Sequence, residues 1–185
     1  MILALVLGYC VLAPEWQAYR SEQKLLQANL LLQAALTGQL PDADPLDGVR
    51  RMLTLAQEAR VVLPHDARAI LIEGMGYLML SRLDEAEQTF VMALRQGERP
   101  ELLVNYGRVL AARGDHDGAH AAMLRAAFIA PGAINTLPKA MRTQIEAEVA
   151  AYEQAFVAGE TNEIPPMPDA YRQPIDRKPP AERRR

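Results

Sequence analysis

The sequence predicts an all-α fold of stacked helical hairpins, a short solenoid closed at its C-terminal end by one further helix. Three observations carry this. Half of the 185 residues are hydrophobic but only 5% are aromatic, so the apolar content is mainly Leu, Ala, Val and Met beside strong helix formers such as Gln, Glu and Arg. β-Branched residues form no long alternating run, and no strand is predicted. A set of small and large apolar residues also recurs after 33 positions, the mark of a repeated structural unit.

The elements follow in chain order. Met1 to Ala13 carry no charged side chain. As a helix they span about 18–20 Å, short of a hydrocarbon core of about 30 Å. Extension to Tyr19 adds length but takes in Pro14 and Glu15, and places Trp16 and Tyr19 where interfacial aromatics sit. Residues 1–20 therefore have three readings. They are a membrane anchor (or the end of a longer spanning helix), a buried first helix, or a removed signal. The last lacks a basic opening segment, and bulky Tyr9 before Cys10 does not suit a lipoprotein cleavage site.

A helical repeat domain is expected over residues 21–158. Its first hairpin pairs helices at about Ser21–Thr37 and Leu46–Val62, joined by a long connection through Gly38 to Pro45 and ended by Pro64. The next unit reads Ile70-x3-Gly74-x2-Tyr77, then Ala86-x3-Phe90-x2-Ala93-Leu94. The third reads Leu103-x3-Gly107-x2-Leu110, then Ala119-x3-Met123-x2-Ala126, closing at Pro131. Gly74, Ala86, Phe90 and Ala93 thus return as Gly107, Ala119, Met123 and Ala126. Small residues mark where paired helices touch. Polar turns at Ser81–Asp84 and Arg113–Asp115 separate the helices of each pair. Pro138 to about Ala158 predicts the covering helix, with Asn135 or Thr136 as N-cap. From Ile164 the chain holds six prolines in 22 residues, and residues 159–185 are expected to be an extended or disordered basic tail.

Over residues 67–131 this pattern resembles the tetratricopeptide repeat, which places small residues at its eighth, twentieth and twenty-seventh positions and Pro at its thirty-second. Ala56 and Ala59 match a degenerate upstream unit. Glu73 and Tyr106 depart from the family's large apolar residue, the first clear unit ends at Glu98 instead of Pro, and the units lie one residue closer than in the family. The resemblance implies that the first helix of each pair lines a concave, partner-binding face. Those positions are Arg68, Leu71, Met75, Leu78 and Met79, then Glu101, Val104, Arg108, Ala111 and Ala112. Relatives that clamp a peptide carboxylate use several Lys, Arg and Asn there; this chain offers Arg108, with Asn105 beside the lining. An apolar groove for an amphipathic helix is expected instead, with Leu71, Met75, Leu78, Met79, Val104, Asn105 and Arg108 as partner-binding residues. The other reading has the groove filled by the chain's own first or last helix.

No active site, cofactor or metal centre is expected. The single cysteine, Cys10, excludes an internal disulfide and a Cys-based zinc site. His116 and His120 stand four apart but lack further ligands; His116 is expected to be half-buried, His120 solvated, and Asp115 or Asp117 to cap a helix. His65 and Asp66 have no nucleophile to serve, and Asp66 reads as a cap. The net charge of −3 argues against nucleic acid; residues 164–185 hold six Lys/Arg against three Asp/Glu, leaving −6 on the rest. Pro165-Pro166-Met167-Pro168 and Pro179-Pro180 read as a solvated tail or as a ligand for an aromatic groove. The expected function is a non-catalytic scaffold that binds a protein or amphipathic helix at a bacterial inner membrane, with the repeats in the periplasm. The alternatives are a soluble chaperone or regulator, and an accessory domain of a membrane glycosyltransferase or envelope-assembly complex.

Overall fold

Seven α-helices and one 3₁₀ helix follow one another in the computed structural model, with no strand among the described residues. Those residues are 2–41, 44–161, 165, 168, 170 and 171, with the backbone alone described for 2–14. Helix α1 (Ile2–Leu36) pairs with α2 (Pro45–Val62), α3 (Ala67–Met79) with α4 (Leu83–Leu94), and α5 (Pro100–Ala112) with α6 (His116–Ile129). Each hairpin also packs on the next, and α7 (Lys139–Val157) lies on α6 and on the 3₁₀ helix Pro131–Thr136. The fold is all-α, built from helical hairpins in sequence order.

Local chemistry explains most boundaries. The Asp44 carboxylate accepts from Leu46 N–H at 2.9 Å ahead of Pro45, the first residue of α2. The expected cap at Asp66 accepts from Arg68 N–H at 2.8 Å, and Asp115 accepts from Gly118 N–H at 2.9 Å. Two boundaries differ from expectation. Asn135 and Thr136 lie inside the 3₁₀ helix, so α7 starts after Pro138 with no side-chain cap. Helix α1 does not begin near Ser21; it runs unbroken through Pro14. Proline removes one intrahelical N–H, but its fixed φ is helical, so the chain can continue at a cost of about 3 kcal/mol. The division at residue 20 therefore falls inside one helix. Among the described residues no helix is long and apolar enough to cross a membrane.

The interior has two apolar clusters. Leu25, Ala28, Leu31 and Leu32 of α1 meet Val49, Met52, Ala56 and Ala59 of α2 and Ala69, Ile72 and Met75 of α3. The larger cluster runs from Leu53 of α2 through α3 to α7, with Phe90, Leu103, Ile134 and Ile145 among its fully buried members. The 33-residue period is visible in its contacts. A Cβ on Gly74 would lie 2.8 Å from two carbons of the Phe90 ring, and one on Gly107 would lie 3.0 Å from Met123 Cγ and from the Ala119 carbonyl oxygen. At Gly74 only glycine lets the helix pair close as it does; at Gly107 a side chain would need its neighbours to give by a few tenths of an ångström. The turns obey the same period: Gly114 has φ +85°, and Ser81, one period earlier, has φ +57°. A non-glycine residue in that region costs about 1–2 kcal/mol, so the first of these turns is the strained one.

Candidate interaction surface

Helices α1, α3 and α5 run along one side of the stack, and the expected partner-binding residues sit on the latter two. The structure covers much of that side from within. Met75 is 6% exposed, held among Leu25, Leu31 and Leu32 of α1. Leu71, Leu78 and Met79 are half-buried and remain accessible in part. Met75 is thus interior packing, against the expectation of an open apolar stripe. The reason is α1, whose apolar face needs cover as much as that of α3 does.

One period later the covering is polar. Val104 and Asn105 are buried, at 2% and 8% exposure, and Arg108 is half-buried. Asn105 donates to the Glu101 carbonyl at 2.7 Å, Arg108 donates to Asn105 Oδ1 at 2.6 Å, and Arg108 also donates to Thr136 Oγ1 at 2.7 Å. The 3₁₀ helix so closes this end through Thr136. Burial pushes the Arg108 guanidinium below its usual range. Arg68, at the open edge of α3, is exposed and bridges Glu22 of α1 at 2.8 Å and Asp66 at 2.7 Å. Glu101 and Ala112 are exposed, and Ala111 is half-buried.

On the opposite side, α2, α3 and α4 leave a cleft of about 400 Å³ lined by Gln57, Arg60, Glu73, Tyr77, Thr89 and Met92. Glu73 stands at a position expected to be large and apolar. It is buried because Arg60 of α2 donates to its carboxylate, while Gln57 donates to the Tyr77 hydroxyl at 2.7 Å. Arg82 lies 4.7 Å over the Tyr77 ring.

The histidines reverse their expected roles. His116 is exposed; His120 is half-buried and lies 2.7 Å from Glu148 of α7. That contact holds the Glu148 carboxyl below its ordinary range. Among the described residues no group of three or more His, Cys, Asp or Glu is placed to hold a metal.

The tail makes contacts that its composition does not announce. Pro165 and Tyr171 are buried, although the segment was expected to be extended or disordered. Arg125, itself 8% exposed, donates to the Pro165 carbonyl at 2.8 Å and to Glu98 at 2.6 Å. The Tyr171 hydroxyl donates to the other Glu98 oxygen at 2.9 Å, and its ring meets Tyr106 edge-on at 6.1 Å. Burial first, then Glu98, push the Tyr171 phenol well above its usual range. Burial likewise pushes Tyr106 up to about 12. Burial alone would raise Glu98, but hydrogen bonds from Arg125 and Tyr171 outweigh it and hold the carboxyl low. One signal was present: Tyr171 is an aromatic in a segment otherwise rich in proline and charge. The stretch 172–185, with Pro179-Pro180, lies outside the described residues. No family model, curated protein or solved structure matches this chain.

Proposed function

We propose that the chain is a non-catalytic, tetratricopeptide-like scaffold that binds a protein or an amphipathic helix. The observation that supports this reading is the repeated hairpin geometry: Gly74 against Phe90 and Gly107 against Met123, one period apart, on helices that share a common side. With Met75 and Val104 interior, the proposed partner surface narrows to the accessible residues Leu71, Leu78 and Met79, with Arg108 at its end. Three apolar side chains beside one cation suit an amphipathic helix carrying an acidic residue at one end. Location at a membrane, in the bacterial envelope, belongs to the same proposal and rests on the uncharged run Met1–Ala13.

The test is recovery of bound proteins from native membranes by the full chain and by Leu71→Glu/Leu78→Glu. We expect a defined partner with the natural sequence, lost in the variant while helical circular dichroism is unchanged. Equal recovery by both proteins would remove this face from the reading.

A further inference from the structure

Helix α1 carries a second apolar face that nothing in the repeats covers. Trp16, Tyr19, Leu26 and Leu30 are 59%, 56%, 54% and 57% exposed. With Gln23 they are spaced three, four, three and four residues apart, the heptad pattern of a two-helix seam. The docked face of α1, through Ser21, Leu25, Ala28 and Leu32, lies on the other side of the same helix. Rotation that turned the stripe inward would expose Leu25, Ala28, Leu31 and Leu32, and would part Lys24 from Glu58 of α2 and Glu22 from Arg68 of α3.

We propose that this stripe pairs with the same stripe of a second copy, the two α1 helices lying parallel. Charge selects both partner and direction. With Trp16 and Gln23 as the first and Tyr19 and Leu26 as the fourth heptad positions, Glu15 and Arg20 flank the seam five residues apart. A parallel pair sets Glu15 of each copy beside Arg20 of the other, twice by symmetry; the antiparallel pair makes no such match. Both side chains are exposed, and Arg20 already rests 5.7 Å over Trp16 at the seam's edge. Gln23 is the central polar residue that fixes register in such seams. Acidic lipid is less well matched. Glu15 and Glu22 alternate with Arg20 and Lys24 along this helix, whereas a lipid-seeking helix concentrates basic residues. Two heptads alone make a weak pair, but here the domain already holds the helix, so little ordering entropy is lost on association.

Sedimentation equilibrium of the full chain should show a monomer–dimer equilibrium. Leu26→Glu/Leu30→Glu should weaken it by about a hundredfold or more with helicity retained. Glu15→Arg should weaken it severalfold, and Glu15→Arg/Arg20→Glu should restore it. In a Cys10→Ser background, Gln33→Cys, exposed and three residues beyond Leu30 on the same stripe, should oxidise to a disulfide-linked dimer, since a residue at the end of the stripe meets its own copy only in the parallel seam. A monomer at all concentrations would overturn the proposal, as would a dimer indifferent to Leu26→Glu/Leu30→Glu or one that fails to cross-link. Monomeric binding to phosphatidylglycerol vesicles, lost in Leu26→Glu/Leu30→Glu, would reassign the stripe to a membrane and also overturn it.

Discussion

The hairpins α3/α4 and α5/α6 carry one pattern 33 residues apart, yet they bury it by different chemistry. At the position of Glu73 and Tyr106, the first unit uses an ion pair to Arg60 beside an open cleft; the second buries an aromatic against Tyr171 from the tail. At the position of Met75 and Arg108, the first unit is covered by the apolar face of α1 and the second by Thr136 of the 3₁₀ helix. At the glycine, the first meets an aromatic ring and the second a thioether side chain together with a backbone carbonyl. The repeat therefore specifies where helices touch. The neighbours of each unit specify what the remaining positions become.

The glycines give the largest expected effect. Gly74→Leu should destabilise the protein by about 3 kcal/mol or more, and Gly107→Leu by about 1–3 kcal/mol. The order follows from the closer approach at Gly74, where a Cβ would lie 2.8 Å from carbons of the fully buried Phe90 ring, against 3.0 Å from Met123 and the Ala119 carbonyl at Gly107. Urea unfolding of both variants checks it. A milder Gly74→Leu than Gly107→Leu would show that the two contacts have been ranked wrongly.

A smaller effect should mark the tail of the second unit. Tyr171→Phe removes a hydrogen bond to a carboxylate and should cost about 1–2 kcal/mol, with faster proteolysis near residue 170 and unchanged protection of α1 and α2. The same contact sets a pH dependence. The folded Glu98 carboxyl titrates below its unfolded value, so its contribution is present above about pH 4.3 and fades as pH falls through the lower folded value. Protease resistance of the tail should fall over that acidic window in the natural protein. Glu98→Gln should flatten this component; an unaltered profile would mean that Glu98 does not govern the latch.

Much of this was legible in the sequence because small residues have few reasons to recur at a fixed spacing. Gly74 with Gly107, and Ala86 with Ala119, located the helix contacts, while Asp66 located a helix start. Ala56 and Ala59, read as the mark of a degenerate first unit, are fully buried. What stayed hidden depends on partners distant in the chain. Nothing local to Glu73 says that Arg60 faces it, nor does anything near Met75 say that α1 covers it. The continuity of α1 past residue 20 also stayed hidden: the uncharged run and the first repeat helix differ in composition, yet one helix carries both, Pro14 included. The tail misled through composition: proline and charge describe an average, whereas one tyrosine and one carbonyl make the contact. One period before His120 stands Glu87, which suggests a solvated position, whereas Glu148, which meets His120, comes from α7, outside the repeat.

Helix α1 covers the first part of the side along which α3 and α5 also run. Met75→Glu tests it most directly. A carboxylate at a position only 6% exposed, in one apolar cluster with Leu25, Leu31 and Leu32 of α1, loses its hydration. Hydrogen exchange and urea unfolding of that variant should show a loss of about 3 kcal/mol or more, with protection falling first over residues 21–36 of α1. Unchanged stability, with α1 as protected as before, would mean that Met75 faces an open groove and that α1 does not cover it.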